Sequence, residues 1–252
     1  MFRPAALVLV AALSLAPRPG AAHPHSATPT AEEVAGNVMQ ALGGKEAWDK
    51  TRFLRFSFAG RRTHWWDKWT GQHRLEGQNQ EGKKYVVLEN VNSKEGVAWL
   101  EGQKLEGEAA KEMLERAYGA WINDTYWLLM PYKLQDPGVN LSYVGEEDVE
   151  GKKYDKLLLT FQQVGLTPGD RYWAYINRDS HLMDRWAYVL QSMEPGSAPT
   201  VWRWEGWQKY GNVMLASKRV QLGTEPRTLE LGDIAVTDTL PDAVFTSPEP
   251  VK

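Results

Sequence analysis

The chain of 252 residues contains no cysteine. That excludes disulfide staples, a thiol nucleophile, thiolate metal sites and lipid attachment at a processed N-terminal cysteine. Long apolar runs are also missing. The best, from Ala5 to Ala16, falls short of the ~20 residues that a membrane helix needs. Charge of either sign is scarce in excess: the formal net charge is −3 and the pI about 6.0. A balance so near neutral gives no footprint for nucleic acid or for an anionic membrane surface. Catalytic signatures are absent too: there is no G-x-S-x-G, no H-E-x-x-H, no phosphate loop and no G-x-G-x-x-G. The acidic run Glu146-Glu147-Asp148 falls where the pattern predicts a turn and reads as solvated. Nothing sets two carboxylates across a sugar. An enzyme is not expected, and no catalytic residue is assigned.

What is present begins with an export signal. Arg3 precedes the apolar run, and Gly20-Ala21-Ala22 supplies small residues for cleavage. Residues 1–22 are therefore expected to be a signal peptide, 23–30 a flexible tether, and 31–252 one domain. The expected location is the periplasm or another exported compartment, with no transmembrane segment in the mature chain. His23-Pro24-His25 would stand at the new terminus. Pro24 lacks the amide N–H that a square-planar copper site uses, so neither metal nor cofactor is expected. His64, His73 and His181 show no ligand spacing and read as surface or satisfied core residues.

The pattern then sets the fold class. Thr30 is a good N-cap, with Glu32 and Glu33 in the first turn of a helix that Gly43-Gly44 ends. From Arg52 the period becomes two. Strands are predicted at 52–58, 62–69, 85–89 and 97–100, then at 141–145, 154–162, 170–177, 182–190, 201–210, 213–222 and 227–237. Between the two sets, helix formers run from Gly107 to Arg116, and Tyr118 to Met130 continues to Pro131. Asn123-Asp124 is expected to separate two helices there, with Asp124 as a cap. The absence of alternating β-α-β units argues for α+β, mainly antiparallel β. Phe245 is the one large residue able to pin the Pro-rich tail.

Twelve tryptophans are the unusual count. His64 to Trp69 and Trp202 to Trp207 both lie on predicted strands. Alternation places Trp202 and Trp204 with Leu54, Phe56, Phe58, Trp186 and Tyr188 on one wide apolar sheet face. The helical segments available to cover it are few, and a wide curved sheet under a thin cover leaves a hollow of the kind that takes apolar ligands.

Several segments carry a resemblance to a known group. They are Ala41-Leu-Gly-Gly-Lys-Glu-Ala-Trp48, the stretch from Asn123 to Leu134 with Asp136-Pro-Gly138, the hairpin from Tyr175 to Leu182, Trp207 to Val213, and Leu240 to Phe245. Together they resemble the periplasmic lipoprotein-carrier and outer-membrane lipoprotein-sorting superfamily, in an exported branch distinct from the carrier itself. The resemblance implies an unclosed half β-barrel with helices covering the concave face. It also implies an arginine near the barrel mouth that holds a lid closed. Arg55, Arg61 and Arg62 lie on early strands, and none is singled out.

The expected function is a soluble carrier or binding protein for a lipid, a lipoprotein acyl chain or a similar hydrophobic ligand, with envelope lipoproteins or membrane complexes as partners. Trp121, Trp127, Leu128, Trp202 and Trp204 are the expected lining of the hollow. Three alternatives stay open: a carbohydrate-binding module using tryptophan platforms, an enzyme with a concave-face site, and a structural envelope partner without a small ligand.

Overall fold

The computed structural model describes residues 28–251; the expected signal peptide and most of the tether lie outside them. The first helix, α1 (Ala31–Ala41), starts on a reciprocal cap. The Thr30 hydroxyl accepts from the Glu33 amide at 3.1 Å, and the Glu33 carboxylate accepts from the Thr30 amide at 2.8 Å. It ends where Gly43 takes φ 116°, and a Cβ there would collide with the Asn212 carbonyl. Glycine thus lets the end of α1 rest on a β-turn from the far part of the chain. A short helix α2 (Lys45–Lys50) follows.

Thirteen antiparallel strands form one open sheet. The first half comprises β1 (Phe53–Phe58), β2 (Arg62–Asp67), β3 (Gln72–Gln78), β4 (Lys84–Asn90), β5 (Glu95–Leu100) and β6 (Gln103–Lys104). The second comprises β7 (Val139–Val149), β8 (Lys152–Phe161), β9 (Arg171–Asn177), β10 (Met183–Val189), β11 (Thr200–Tyr210), β12 (Val213–Gln221) and β13 (Thr228–Thr237). Each half is a meander of hairpins. The halves join because the last strand pairs back with the first, giving the order β6-β5-β4-β3-β2-β1-β13-β12-β11-β10-β9-β8-β7. The ends β6 and β7 do not pair, so the expected unclosed half-barrel is the observed architecture.

Between the halves runs α3 (Gly107–Leu129), a single helix of 23 residues. Together with a 3₁₀ turn (Met130–Lys133) and α1 it covers the concave face. The aromatic face read from the sequence is the core: Leu54, Phe56, Trp186, Trp202 and Trp204 are buried there against Leu128, Leu129 and Met130 of the covering layer. The break expected at Asn123-Asp124 is absent. Asp124 is buried in mid-helix, with its carboxylate engaged by Arg62 and His64 of the sheet. That carboxylate is therefore not free to accept from backbone amides, which is how an aspartate caps the start of a new helix.

Two other expectations are corrected. Residues 72–78 form strand β3, which the pattern did not reveal: His73 and Arg74 occupy buried positions that normally read as apolar. The acidic run 146–148 belongs to β7 rather than to a turn, with Glu146 paired to Arg178 and Glu147 to Lys156. The turn itself is Glu150-Gly151, both at positive φ, as a two-residue hairpin that follows the sheet's twist requires.

The tail lies on the convex face. The short helix α4 (Ala243–Thr246) buries Val244, and Phe245 stacks on Phe53 at 6.1 Å. The stronger hold is Arg74, fully buried, which donates to the carbonyls of Val244 (3.0 Å), Ser247 (2.6 Å) and Glu249 (2.6 Å).

Candidate functional site

The covering helix α3 is pinned to the sheet at two points by arginines. At the first, Arg62 on β2 makes a fork-to-fork pair with Asp124, Nε to Oδ2 at 2.5 Å and a terminal nitrogen to Oδ1 at 2.7 Å. Such a bidentate pair fixes orientation as well as distance. Burial opposes ionisation of Asp124, but hydrogen bonds from His64 and Arg62 outweigh it and hold the carboxyl below its usual range. The same hydrogen bond raises the Arg62 guanidinium further.

At the second point, Arg219 on β12 is fully buried and donates to the Trp127 carbonyl at 2.6 Å. That carbonyl is in the last turn of α3, where backbone acceptors lack intrahelical donors and the dipole favours a cation. The guanidinium lies 3.4 Å over the Trp204 ring and also donates to the carbonyls of Ala216 and Lys218. Among the described residues no carboxylate pairs with it, and burial pushes its pKa well down.

Beneath the first anchor runs a buried polar chain. His64 Nε2 lies 2.8 Å from Asp124 Oδ2, His64 Nδ1 lies 3.0 Å from His73 Nε2, and His73 Nδ1 lies 2.8 Å from Glu89 Oε1. Period two puts Arg62, His64 and Trp66 on the concave face of β2, and register brings His73 opposite Trp66 and Glu89 opposite His73. Phe56 stacks on the His64 ring at 4.6 Å. Burial lowers the His64 pKa to about 4.

The C-terminal half of α3 also forms one wall of an open cavity of about 490 Å³. Trp121, Ile122, Tyr126 and Trp127 line it from the helix; Phe161 and Tyr172 line it from β8 and β9. The loop between those strands lines the outer side and carries Leu166, 58% exposed. Polar groups are few and mostly engaged. Asp170 accepts from Thr167, from Tyr172 and from the Gln191 amide, and Lys133 pairs with Asp136 at 3.0 Å. The Tyr126 hydroxyl is buried in the wall without a partner, and burial raises its pKa well above the ordinary value.

Of the five residues expected to line a hollow, Trp121 and Trp127 lie at this cavity. Leu128, Trp202 and Trp204 pack in the core behind it, with Trp127 edge-on to Trp202 at 5.0 Å. Arg62 is the one of the three early arginines that meets α3; Arg55 stacks over Trp65 on the other face. From sequence, Asp124 reads as a helix cap and His64 and His73 as surface or satisfied core residues, while Glu89 and Arg219 are not singled out. Their trace was there in part: Arg62, His64 and Trp66 share the face of an otherwise apolar strand, and charge on such a face needs a partner. Among the described residues, no group of three or more His, Asp or Glu is arranged to hold a metal ion, and no helix is long and apolar enough to cross a membrane.

The class that this geometry defines is an open antiparallel half-barrel, covered by one long helix, with an aromatic cavity at the helix's C-terminal half. Residues 104–203, less than half of the chain, match the model of a family of unknown function, DUF6503. No curated protein matches the chain. Among solved structures, the chain is similar to a DUF1329 family protein from Desulfovibrio piger, at 12% identity over 88% of this chain and 100% of that one, with a TM-score of 0.46. It is similar to a LolA superfamily protein from Nitrosomonas europaea, at 12% identity over 87% and 99% of the two chains, TM-score 0.38. It is also similar to a domain named for outer-membrane lipoprotein sorting from Vibrio parahaemolyticus, at 7% identity over 84% and 94%, TM-score 0.42. Likeness of this degree assigns neither ligand nor partner.

Proposed function

We propose that the protein binds and carries a hydrophobic ligand, a lipid or an acyl chain, in the cavity between α3 and the β8–β9 side of the sheet. The observation that carries the reading is the cavity wall: Trp121, Ile122, Tyr126, Trp127, Phe161 and Tyr172 surround about 490 Å³, within the range of small-molecule sites. Its polar groups are largely paired with one another, so the free energy would come from apolar burial, ~0.8 kcal/mol for each methylene removed from water. Trp121 and Trp127 are the ligand-contacting residues in this reading; Leu128, Trp202 and Trp204 support the wall from behind. The export signal read from the sequence places such a carrier in the cell envelope, where its cargo would come from envelope lipids or lipoproteins.

A sugar platform needs exposed aromatic faces. Trp65, Trp66, Trp202 and Trp204 are between 2% and 9% exposed and Trp207 is half-buried, so of the two clusters only Trp69, 58% exposed, presents a ring to solvent, with Arg52 lying over it at 5.2 Å; a single ring does not make a platform. The test is native mass spectrometry of protein purified without detergent and then offered acyl lipids. One retained acyl species is expected, and its loss in Ile122→Trp, which fills the cavity from α3. A protein that takes up no lipid overturns the reading.

A further inference from the structure

The chain Asp124–His64–His73–Glu89 has three contacts of 2.8, 3.0 and 2.8 Å. A hydrogen bond needs one hydrogen between its two heavy atoms, so the three contacts require three protons among four groups. Two neutral imidazoles and two ionised carboxylates supply only two. We infer that closure of α3 over the sheet traps one additional proton in this chain, and that the grip of the sheet on the covering helix is thereby tuned by pH.

The charge of the cluster agrees with this count. Two carboxylates, the Arg62 guanidinium and one extra proton sum to zero, the state that a buried cluster tolerates best. A fourth proton would set two donors head to head. Loss of the third would set two lone pairs face to face. The groups facing the chain are Arg62 on β2, Tyr85 on β4 and Asn123 on α3; Phe56 on β1 contributes only an apolar ring. Glu89 stands opposite Gly96 on β5, which brings no side chain, and Glu89 Oε2 is buried without a partner. Among the described residues, His73 is the one ion-pair partner of that carboxyl. Burial disfavours the cationic form of His64.

Lifting α3 takes Asp124 away and lets water reach the rest. In water the four groups hold two protons when the solution is alkaline, and four once both imidazoles are charged below about pH 6.5. Opening therefore releases one proton on the alkaline side and takes one up on the acid side. By linkage, closure is strongest between these limits and weakens in both directions, by up to about tenfold per pH unit for one proton. The consequence for cargo rests on the cavity reading above, because Trp121 to Trp127 of the same helix form the cavity wall; the linkage itself does not.

The experiment is hydrogen–deuterium exchange of the α3 amides across roughly pH 5 to 9, corrected for intrinsic rates and referenced to amides of β8 to β12. Protection of α3 should peak near pH ~6.5 and fall on both sides. In Glu89→Gln the amide donates to His73 at every pH, so the alkaline fall should vanish while the acid fall stays. A wild-type profile that is flat, or that falls on one side only, overturns the inference. So does a folded Glu89→Gln that keeps the alkaline fall, and the wild-type profile decides alone if that variant does not fold. Failure to bind lipid with a peaked profile would remove the carrier reading and leave this linkage standing.

Discussion

Replacing Asp124 with alanine isolates what anchors the covering helix. The carboxylate accepts two bonds from Arg62, one from His64 and one from the Asn123 side-chain amide, and it is fully buried. Breaking a buried ion pair by removing one partner costs about 3–5 kcal/mol. Arg62 retains 29% side-chain exposure and recovers some hydration, which pulls the figure toward the lower end. His64 recovers none, and its stranded N–H adds roughly 1–3 kcal/mol. The two terms share one site and do not add fully, so about 4 kcal/mol is expected. For a domain of this size that lowers the melting point by roughly 8–16 °C. Urea denaturation at neutral pH reads it directly. Asp124→Asn, which keeps an acceptor, should lose less than Asp124→Ala. The double variant Arg62→Met/Asp124→Leu should be more stable than Asp124→Ala, because apolar replacement of a buried pair is often close to neutral. A loss below ~1 kcal/mol in Asp124→Ala would refute the reasoning, since it would make this contact no better than a surface pair.

Two further outcomes follow from other buried charges. His64 titrates at about 4 when folded and near 6.5 when free, so the unfolded chain binds more protons between these values. The His64 contribution to stability is then complete above pH ~6.5 and is lost as pH drops toward 4, roughly 3 kcal/mol in all; a His64→Gln variant that keeps the full acid slope would contradict it. Arg74→Met removes the donor to three tail carbonyls. Native-state proteolysis within residues 241–251 should rise sharply while the sheet stays folded, and a tail as resistant as in the wild type would show that Val244 and Phe245 suffice.

Most of the fold was legible because its signals are local. Period-two alternation from Arg52 onward, glycine turns and one helical interruption give the half-barrel its elements, and Leu54 with the aromatic positions 56, 186, 202 and 204 shares the face that the structure buries. What escaped was polar and buried. Strand β3 carries His73 and Arg74 where alternation expects apolar residues, because each is satisfied from a distant part of the chain: His73 by Glu89 and Arg74 by the tail. Asp124 looked like a cap because its partners, Arg62 and His64, stand some sixty positions away in sequence. The cavity was anticipated in kind and only partly in place. Trp121 and Trp127 reach it, but Trp202 and Trp204 are pressed behind Trp127 and Trp186, a matter of layer depth that period alone does not encode.

The central claim is that the cavity beside α3 takes an apolar chain. Its most direct measurement is equilibrium titration of the protein and of Ile122→Trp with a fluorescent acyl probe, alongside thermal unfolding of both. The account predicts saturable binding at one site in the wild type, its loss in Ile122→Trp, and a melting point shifted by no more than a few degrees. Equal binding by the two proteins, with both folded, would contradict it.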